Sequence, residues 1–168
     1  MVDDVRHERP PGSTLEEHAA IWVDMVPHLD LVRTAARTAR VAVEFGVRGG
    51  VSTWALLDGL PPEGRLVSVD LIRHPLPQRI TTDPRWEFVR GDSLSVPLPD
   101  ADLFVIDSSH EYEQTLGELR RADRARTILL HDWSLEAVRH AIVDWMGEGW
   151  LLSVAPSEWG MGVLTRVG

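Results

Sequence analysis

The segment that decides the fold is ARVAVEFGVRGGVST, at residues 39–53. Its apolar run ends at Glu44, a glycine-rich turn with Gly46 and Gly50 follows, and Ser52 stands at the start of a helical pattern. Glycine adopts positive φ and lets a backbone approach a ligand closely, and the free N–H groups of a helix start are hydrogen-bond donors. The segment therefore predicts a strand, a tight turn and a helix, an arrangement that binds nucleotides at the carboxyl ends of strands in α/β proteins.

The spacing of this turn separates it from the dinucleotide-binding turn. It runs Glu44-x-Gly46-x-x-x-Gly50-x-Ser52, whereas the dinucleotide fingerprint is GxGxxG. A carboxylate directly before the turn repels a pyrophosphate and suits a ligand that carries an ammonium group. A plain strand-to-helix connection without a ligand is the alternative interpretation.

Composition narrows the classes of function. The chain has 168 residues, enough for one domain with a hydrophobic core, and a formal net charge of −9. This charge disfavours nucleic acid as a partner, because binding phosphates requires a basic surface. The chain has no cysteine and therefore no disulfide or thiolate metal site. Since there is also no apolar run of the ~18 residues that span a membrane and no apolar signal core, we expect a cytoplasmic protein that does not enter membranes.

Polar residues and prolines dominate residues 1–12, which we predict to be a flexible tail before a single domain at 13–168. Ser13 or Thr14 is expected to cap a first helix, which Pro27 interrupts. A second helical pattern follows and continues up to the glycine-rich segment. We expect these N-terminal helices to form a lid or a dimer element.

Beyond the turn, apolar strands alternate with helices or loops, which predicts a doubly wound α/β sheet. Acidic residues close or follow successive predicted strands at Glu44, Asp70, Asp92, Asp107 and Asp132. Because the carboxyl ends of parallel strands share one edge of the sheet, we expect all five carboxylates there. They suit a cationic ligand with hydroxyl and amine groups. Asp70 would accept hydrogen bonds from ribose hydroxyls, and Asp92 from the exocyclic amine of a base.

The second half of the chain supplies helices and a closing hairpin. Residues 111–124 have helical periodicity, as does the stretch after Ser134, which is its expected cap. Two strands at 150–155 and 161–167 predict an antiparallel hairpin. The proline-rich stretch at 74–85 favours a loop.

Five motifs in order, VEFGVRGGVST, LVSVDL, FVRGDS, DLFVIDSSHEY and ILLHDW, together resemble the class I S-adenosylmethionine-dependent methyltransferases. The resemblance covers residues 39–167 and is greatest to small-molecule O-methyltransferases, including metal-dependent enzymes that methylate sugars of antibiotics. It implies a Rossmann-like, seven-stranded sheet whose last strand is antiparallel, and S-adenosyl-L-methionine as the cofactor.

The resemblance also implies a set of cofactor-binding residues: Glu44, Gly46, Gly50, Ser52, Asp70, Asp92, Ser93 and Asp107. In this assignment the first three hold the methionine end of the cofactor and Ser52 supports the turn. Asp70 binds the ribose hydroxyls. Asp92 and Ser93 recognise the adenine.

Catalytic roles fall on Asp107 and His110 in the same resemblance. Asp107 would lie near the sulfonium and the acceptor, and His110 would be the general base, because a histidine with an ordinary pKa of about 6.5 can accept a hydroxyl proton. Asp107, His131 and Asp132 are the candidate ligands of Mg²⁺ or another divalent metal. Since Mg²⁺ prefers about six oxygen ligands and His131 offers nitrogen, the site is either one for a softer metal or absent.

The sequence therefore predicts a methyltransferase that acts on a hydroxyl of a small-molecule acceptor, and it leaves N-methylation open. A nicotinamide-dependent oxidoreductase and a non-catalytic cofactor-binding module are the alternatives. The usual inserts over the acceptor are short here, so the acceptor pocket is either open or closed by a second subunit in a homodimer. Trp133, Trp159 and Met161 are candidates for its apolar wall.

Overall fold

The computed structural model describes residues 14–20 and 22–167, and the predicted tail at 1–12 lies outside them. The strands are, in chain order, β1 (Val41–Phe45), β2 (Arg65–Asp70), β3 (Trp86–Arg90), β4 (Leu103–Ile106), β5 (Thr127–His131), β6 (Trp150–Ala155) and β7 (Met161–Arg166). They form one seven-stranded sheet in the order β3-β2-β1-β4-β5-β7-β6. β1 to β5 pair in parallel, and β7 runs antiparallel to both β5 and β6. The predicted α/β sheet with an antiparallel last strand is confirmed.

Helices cover both faces of this sheet. They are α1 (Leu15–Ala19), α2 (Leu29–Ala36), α3 (Val51–Gly59), α4 (Gln78–Thr81), α5 (Tyr112–Arg121) and α6 (Glu136–Trp145), with a 3₁₀ turn at Val26–His28. One apolar core lies between the sheet and α1 to α4, and a second lies between the opposite face and α5 and α6. Across the described residues, no helix has the length and apolar character needed to cross a membrane.

The burial of the two central strands β4 and β5 agrees with their sequences. All four residues of β4 are buried, and in β5 all but the first are buried. A parallel strand with helices on both faces reads as a continuous apolar run, which matches the sequence of these two strands. Their carboxyl ends therefore lie at the middle of one sheet edge, next to the end of β1.

Some local predictions need correction. Thr14 caps α1 through a capping box, as predicted, but α1 ends at Ala19 and does not continue to Pro27. The prediction that Ser134 caps α6 is wrong: Leu135 holds that position and no side chain caps the helix. The proline-rich stretch expected to be a loop contains the single turn α4.

Candidate functional site

A cleft of about 950 Å³ opens along the sheet edge where β1 to β5 end. This volume lies at the upper end of the range for small-molecule sites. Four of the five predicted acids line it: Asp70, Asp92, Asp107 and Asp132. Parallel topology brings these residues to one edge, as the sequence predicted.

The glycine-rich turn forms the floor of the cleft. Gly46 has φ of +85°, and a Cβ at this position would lie 2.0 Å from the carbonyl oxygen of Asp107. Gly50 has φ of +74° and faces Leu76 and Ile80 rather than the cleft. Glycine at these two positions therefore lets the turn pack against the end of β4 on one side and the loop before α4 on the other.

Glu44 does not line the cleft. It is fully buried, and its carboxylate accepts hydrogen bonds from the hydroxyls of Ser52 (2.5 Å), Ser68 (2.6 Å) and Thr53 (2.7 Å). Burial raises its pKa to about 7, and the three hydrogen bonds offset only part of that effect. The structure thus places Glu44 and Ser52 under the turn, where they join β1, β2 and α3.

The part of the cleft at the ends of β2 and β3 contains Asp70, Asp92 and Ser93. Asp70 accepts backbone hydrogen bonds from Val47 (2.8 Å) and Arg48 (3.2 Å), so it links the end of β2 to the glycine-rich turn. Asp92 is exposed and accepts from the backbone N–H of the second residue after it, at 2.9 Å. The other oxygen of Asp70 accepts the backbone N–H of Ile72 at 3.0 Å, and both carboxylates line the cleft.

Buried Glu118 of α5 joins two loops of the cleft. Its carboxylate accepts hydrogen bonds from Ser93 (2.5 Å), after β3, and from Ser108 (2.7 Å), after β4. Gln114, one turn earlier on α5, donates to Ser93 at 2.7 Å. Both the side chain of Ser93 and its carbonyl oxygen, which accepts from Arg121, are therefore used within the protein.

Beyond the end of β4, two carboxylates and two imidazoles form a compact quartet of Asp107, His110, His131 and Asp132. Nε2 of His110 lies 3.1 Å from Asp107 and 3.0 Å from Asp132. Nδ1 of His131 lies 3.4 Å and 3.1 Å from the same two carboxylates. One donor atom from each of the four residues falls within 4.8 Å of the others. The sequence predicted all four members, and the structure brings them together.

The charges within the quartet stabilise one another. Burial alone would lower the pKa of each histidine, but hydrogen bonds to Asp107 and Asp132 raise the pKa of His110 to about 9 and that of His131 to about 10. Burial would raise the pKa of the carboxyls, but hydrogen bonds from the histidines lower the pKa of Asp107 to about 2, and that of Asp132 is lowered as well. The quartet by itself is therefore two imidazolium–carboxylate pairs with a net charge near zero at neutral pH.

Two members of the quartet have a left-handed backbone. His110 has φ of 59° and Asp132 has φ of 58°, and Arg48 beside the glycine-rich turn has φ of 44°. This region costs non-glycine residues of the order of 1 kcal/mol each, and such residues cluster at functional sites. The strain turns the side chains of His110 and Asp132 toward each other at the cleft.

The N-terminal strap, residues 22–28, crosses the cleft beside the quartet. Trp22 and His28 are buried, whereas Val23 and Asp24 line the cleft. The backbone carbonyl of Asp24 lies 3.3 Å from Nε2 of His131. Nε2 of His28 lies 2.9 Å from the Ser157 hydroxyl. The strap is therefore fixed to β5 and to the β6–β7 turn.

The donor set of the quartet can be compared with the needs of a metal ion. Two carboxylate oxygens and two imidazole nitrogens fit Zn²⁺ or another borderline divalent cation better than Mg²⁺, which prefers oxygen ligands. The contact of His131 with the Asp24 carbonyl would orient its ring for coordination through Nδ1. The residues present therefore fit a metal of this class.

The sequence of this chain is similar to that of a known protein family. Residues 43–133, more than half of the chain, match a family model described as a methyltransferase domain. The chain belongs to this methyltransferase family. No curated protein sequence matches it.

Solved structures share the fold of this methyltransferase at low sequence identity. A Bacillus cereus O-methyltransferase in complex with S-adenosylhomocysteine (SAH) has a TM-score of 0.64 and 18% identity, over 94% of this chain and 92% of that one. A Corynebacterium glutamicum protein has a TM-score of 0.66 and 19% identity, over 92% and 88%. TomG from Streptomyces achromogenes, an O-methyltransferase of tomaymycin synthesis bound to S-adenosylmethionine, has a TM-score of 0.61 and 17% identity, over 84% and 80%. The class I methyltransferase fold predicted from the motifs is therefore confirmed.

Three residues at the cleft were missed by sequence reasoning. Glu118 reads as an ordinary helix residue, and only its position on the inward stripe with Leu116 and Leu119 signals burial. Asp24 and Arg48 lie far apart in sequence, and no local pattern connects them. Of the predicted wall residues, Trp159 lines the cleft, whereas Trp133 and Met161 belong to the packed interior.

Proposed function

We propose that this chain uses S-adenosylmethionine to methylate a hydroxyl group of a small molecule, with His110 as the general base. The observation that carries the proposal is the quartet at the carboxyl ends of β4 and β5, in the same cleft as Asp70 and Asp92. A donor nucleoside and an acceptor hydroxyl can meet in that cleft.

The shape of the cleft supports this use of the cofactor. Asp70 and Asp92 follow β2 and β3, on one side of the glycine-rich turn, and would bind the ribose hydroxyls and the adenine amine. Gly46 at the end of β1 offers a floor without a side chain. The sulfonium would then lie near Asp107, whose negative charge favours a cation.

Methyl transfer needs positioning and one proton acceptor. The S–CH₃ bond breaks as the O–CH₃ bond forms, and S-adenosylhomocysteine is released. The hydroxyl proton goes to Nδ1 of His110, because the Nε2–H group donates to the carboxylates of Asp107 and Asp132, which hold the ring in place. Because the pKa of His110 is about 9, only about one molecule in a hundred carries a neutral His110 at pH 7.

A divalent metal would change this protonation balance. Asp107, His131 and Asp132 would hold it, with His110 within reach. When bound, such an ion lowers the pKa of a nearby hydroxyl and replaces the protons of the histidines as the positive partner of the carboxylates. A borderline metal or none at all is compatible with the residues, and metal analysis of the purified protein distinguishes the two.

The acceptor would lie on the far side of the quartet from the nucleoside. Val23, Leu135 and Trp159 line the cleft with exposed apolar surface, 64%, 39% and 40% accessible respectively. These three side chains would face an apolar part of the acceptor, while the quartet would face its hydroxyl. The predictions of a cytoplasmic location, of a homodimer and of no nucleic-acid partner stay predictions.

Calorimetry with S-adenosylmethionine and S-adenosylhomocysteine tests the cofactor. We expect micromolar binding of both, and no heat with either would overturn the proposal. Turnover is tested by following S-adenosylhomocysteine release with a panel of small hydroxylated compounds. Cofactor binding without turnover on any of them would favour the non-catalytic module, and binding of NADH instead would favour the oxidoreductase, which the family match already disfavours.

A further inference from the structure

We propose that Asp24 and Arg48 form a clamp for the amino-acid end of the cofactor, with Asp24 binding its ammonium group and Arg48 its carboxylate. This inference rests on the proposed use of S-adenosylmethionine and goes beyond it, because it assigns residues that neither the motif pattern nor the family match identifies.

The clamp would supply the charged partners that the burial of Glu44 removes from the cleft. The resemblance assigns the methionine end to Glu44, Gly46 and Gly50, but Glu44, the one charged residue among them, is buried beneath the turn and its oxygens accept from three hydroxyl groups. A free amino acid carries one positive and one negative charge, and each needs a partner when it leaves water. Asp24 and Arg48 line the cleft and offer one negative and one positive partner.

The charges that line the cleft point to Arg48. Six carboxyl groups face the cleft: Asp24, Asp70, Asp92, Asp107, Glu111 and Asp132. Arg48 is the one arginine among its described lining residues. A ligand carboxylate in such an acidic cleft is repelled elsewhere, and the planar guanidinium is well suited to bind it through two hydrogen bonds.

Asp24 and Arg48 lie together and are ready for a ligand. Their side chains form an ion pair of 3.3 Å, and they are 28% and 51% exposed. The guanidinium carbon of Arg48 lies 5.2 Å from the ring centre of Trp22, which holds the cation by stacking. The other oxygen of Asp24 accepts the backbone N–H of Met25 at 3.1 Å. Both charged groups are therefore oriented by the protein, and their loose mutual contact can open to admit an ammonium and a carboxylate.

The position of Asp24 and Arg48 in the sheet order suits the amino-acid end of the cofactor. Arg48 belongs to the turn after β1, between the nucleoside side at β2 and β3 and the quartet at β4 and β5. Asp24 reaches the same place from the N-terminal strap and touches His131 through its carbonyl. A nucleoside on Asp70 with its sulfonium near Asp107 would extend its amino-acid end toward this pair.

Three thioether ligands that lose one charge at a time provide the test. S-adenosylhomocysteine carries both groups, decarboxylated S-adenosylhomocysteine keeps only the amine, and methylthioadenosine has neither. None of the three carries the sulfonium charge. Calorimetry would measure the affinity of each ligand for the wild type, for Arg48→Gln and for Asp24→Asn. Arg48→Gln should weaken the binding of S-adenosylhomocysteine about tenfold or more and leave the affinities of the other two ligands within about twofold.

Asp24→Asn should weaken the binding of decarboxylated S-adenosylhomocysteine by a similar factor and leave that of methylthioadenosine unchanged, because the amine is the only charge by which the two ligands differ. Asparagine keeps the oxygen that accepts the Met25 N–H, so the strap should stay in place. Equal losses for all three ligands, or no loss for any, would overturn the clamp.

Matched controls separate the clamp from general effects of charge. Arg65 is 52% exposed and pairs with Glu87 at the amino ends of β2 and β3, so Arg65→Gln removes an equally exposed arginine far from the cleft. Asp58 is 28% exposed, like Asp24, and pairs with Arg79. Neither Arg65→Gln nor Asp58→Asn should change the affinity of any of the three ligands. If the wild type binds none of the three ligands, the proposed function fails. If the wild type binds them but the two variants weaken all three equally or not at all, only the clamp fails.

Discussion

Replacing Glu44 by glutamine should change how the stability of the protein depends on pH. Burial raises the pKa of Glu44 from its ordinary value of 4.5 to about 7. A group whose pKa is higher in the folded state than in the unfolded state contributes stability that is fully present below the unfolded pKa. That contribution is lost as the pH rises through the folded pKa, here between 4.5 and about 7.

The size of the effect follows from the same two values. The difference between 4.5 and about 7, at about 1.36 kcal/mol per pKa unit, corresponds to about 3 kcal/mol. Glutamine has the shape of a protonated glutamate and can exchange hydrogen bonds with the hydroxyls of Ser52, Thr53 and Ser68, but it does not titrate. Relative to the wild type, Glu44→Gln should therefore gain about 3 kcal/mol of unfolding free energy between about pH 4.5 and about pH 7.5.

Urea unfolding followed by tryptophan fluorescence at several pH values measures this difference. Other titrating groups, including the quartet, change both proteins equally and cancel in the comparison. Glu87→Gln is the control, because Glu87 is 51% exposed and should give a nearly constant difference from the wild type. If the wild type and Glu44→Gln have parallel pH profiles, Glu44 titrates normally and the account of its burial is wrong.

Further predictions concern the quartet and the turn. His110→Gln should lower kcat at least about 100-fold. Turnover of the metal-free wild type should rise with pH up to about 9, because only neutral His110 accepts a proton. An unchanged kcat or a flat pH profile would argue against His110 as the base. Zn²⁺ binding should release protons, detected by calorimetry in buffers of different ionisation enthalpy, and Asp132→Asn should abolish it; binding that survives this substitution would locate the metal elsewhere. Gly46→Ala should cost more than about 2 kcal/mol in urea unfolding, whereas Gly147→Ala, where a Cβ meets nothing within 4 Å, should be close to neutral; equal effects would contradict the close approach of Gly46 to Asp107.

The sheet and most of the cleft could be predicted because they depend on short-range patterns. Apolar runs that end in acids give the strands, and parallel topology then brings their ends to one edge. Asp70, Asp92, Asp107 and Asp132 reach the cleft for that reason. The pairing of His110 with Asp107 also follows from proximity, since His110 lies three residues after Asp107.

The direction of Glu44 could have been predicted from alternation along the strand. Val43 and Phe45 face the α5–α6 core, so Glu44 must point toward the opposite layer, where α3 supplies hydroxyl groups. Its partner in register on β2 is Ser68, which supplies the third. The position of Glu44 at the end of β1 predicts the cleft, whereas the face of β1 on which it lies predicts the protein interior.

The contacts of the N-terminal strap could not be predicted, because they join distant parts of the chain without a local signal. Arg48 pairs with Asp24, and His28 meets Ser157 and packs edge-on against His131 with ring centres 5.6 Å apart. Helical periodicity up to Pro27 favoured one continuous helix here. The structure has an irregular strap here instead. The long-range contacts of its polar side chains override the helical propensity of the segment.

The position of β7 inside the sheet has a consequence for how the protein is made. Met161–Arg166 is synthesised after every other strand, yet it forms hydrogen bonds with both β5 and β6. Until it emerges from the ribosome, β5 presents an open, apolar edge and β6 has no neighbour, which is the kind of species that aggregates or recruits chaperones. Completion of the sheet, and with it the arrangement of His131 and Asp132 at the end of β5, must therefore wait for this final strand.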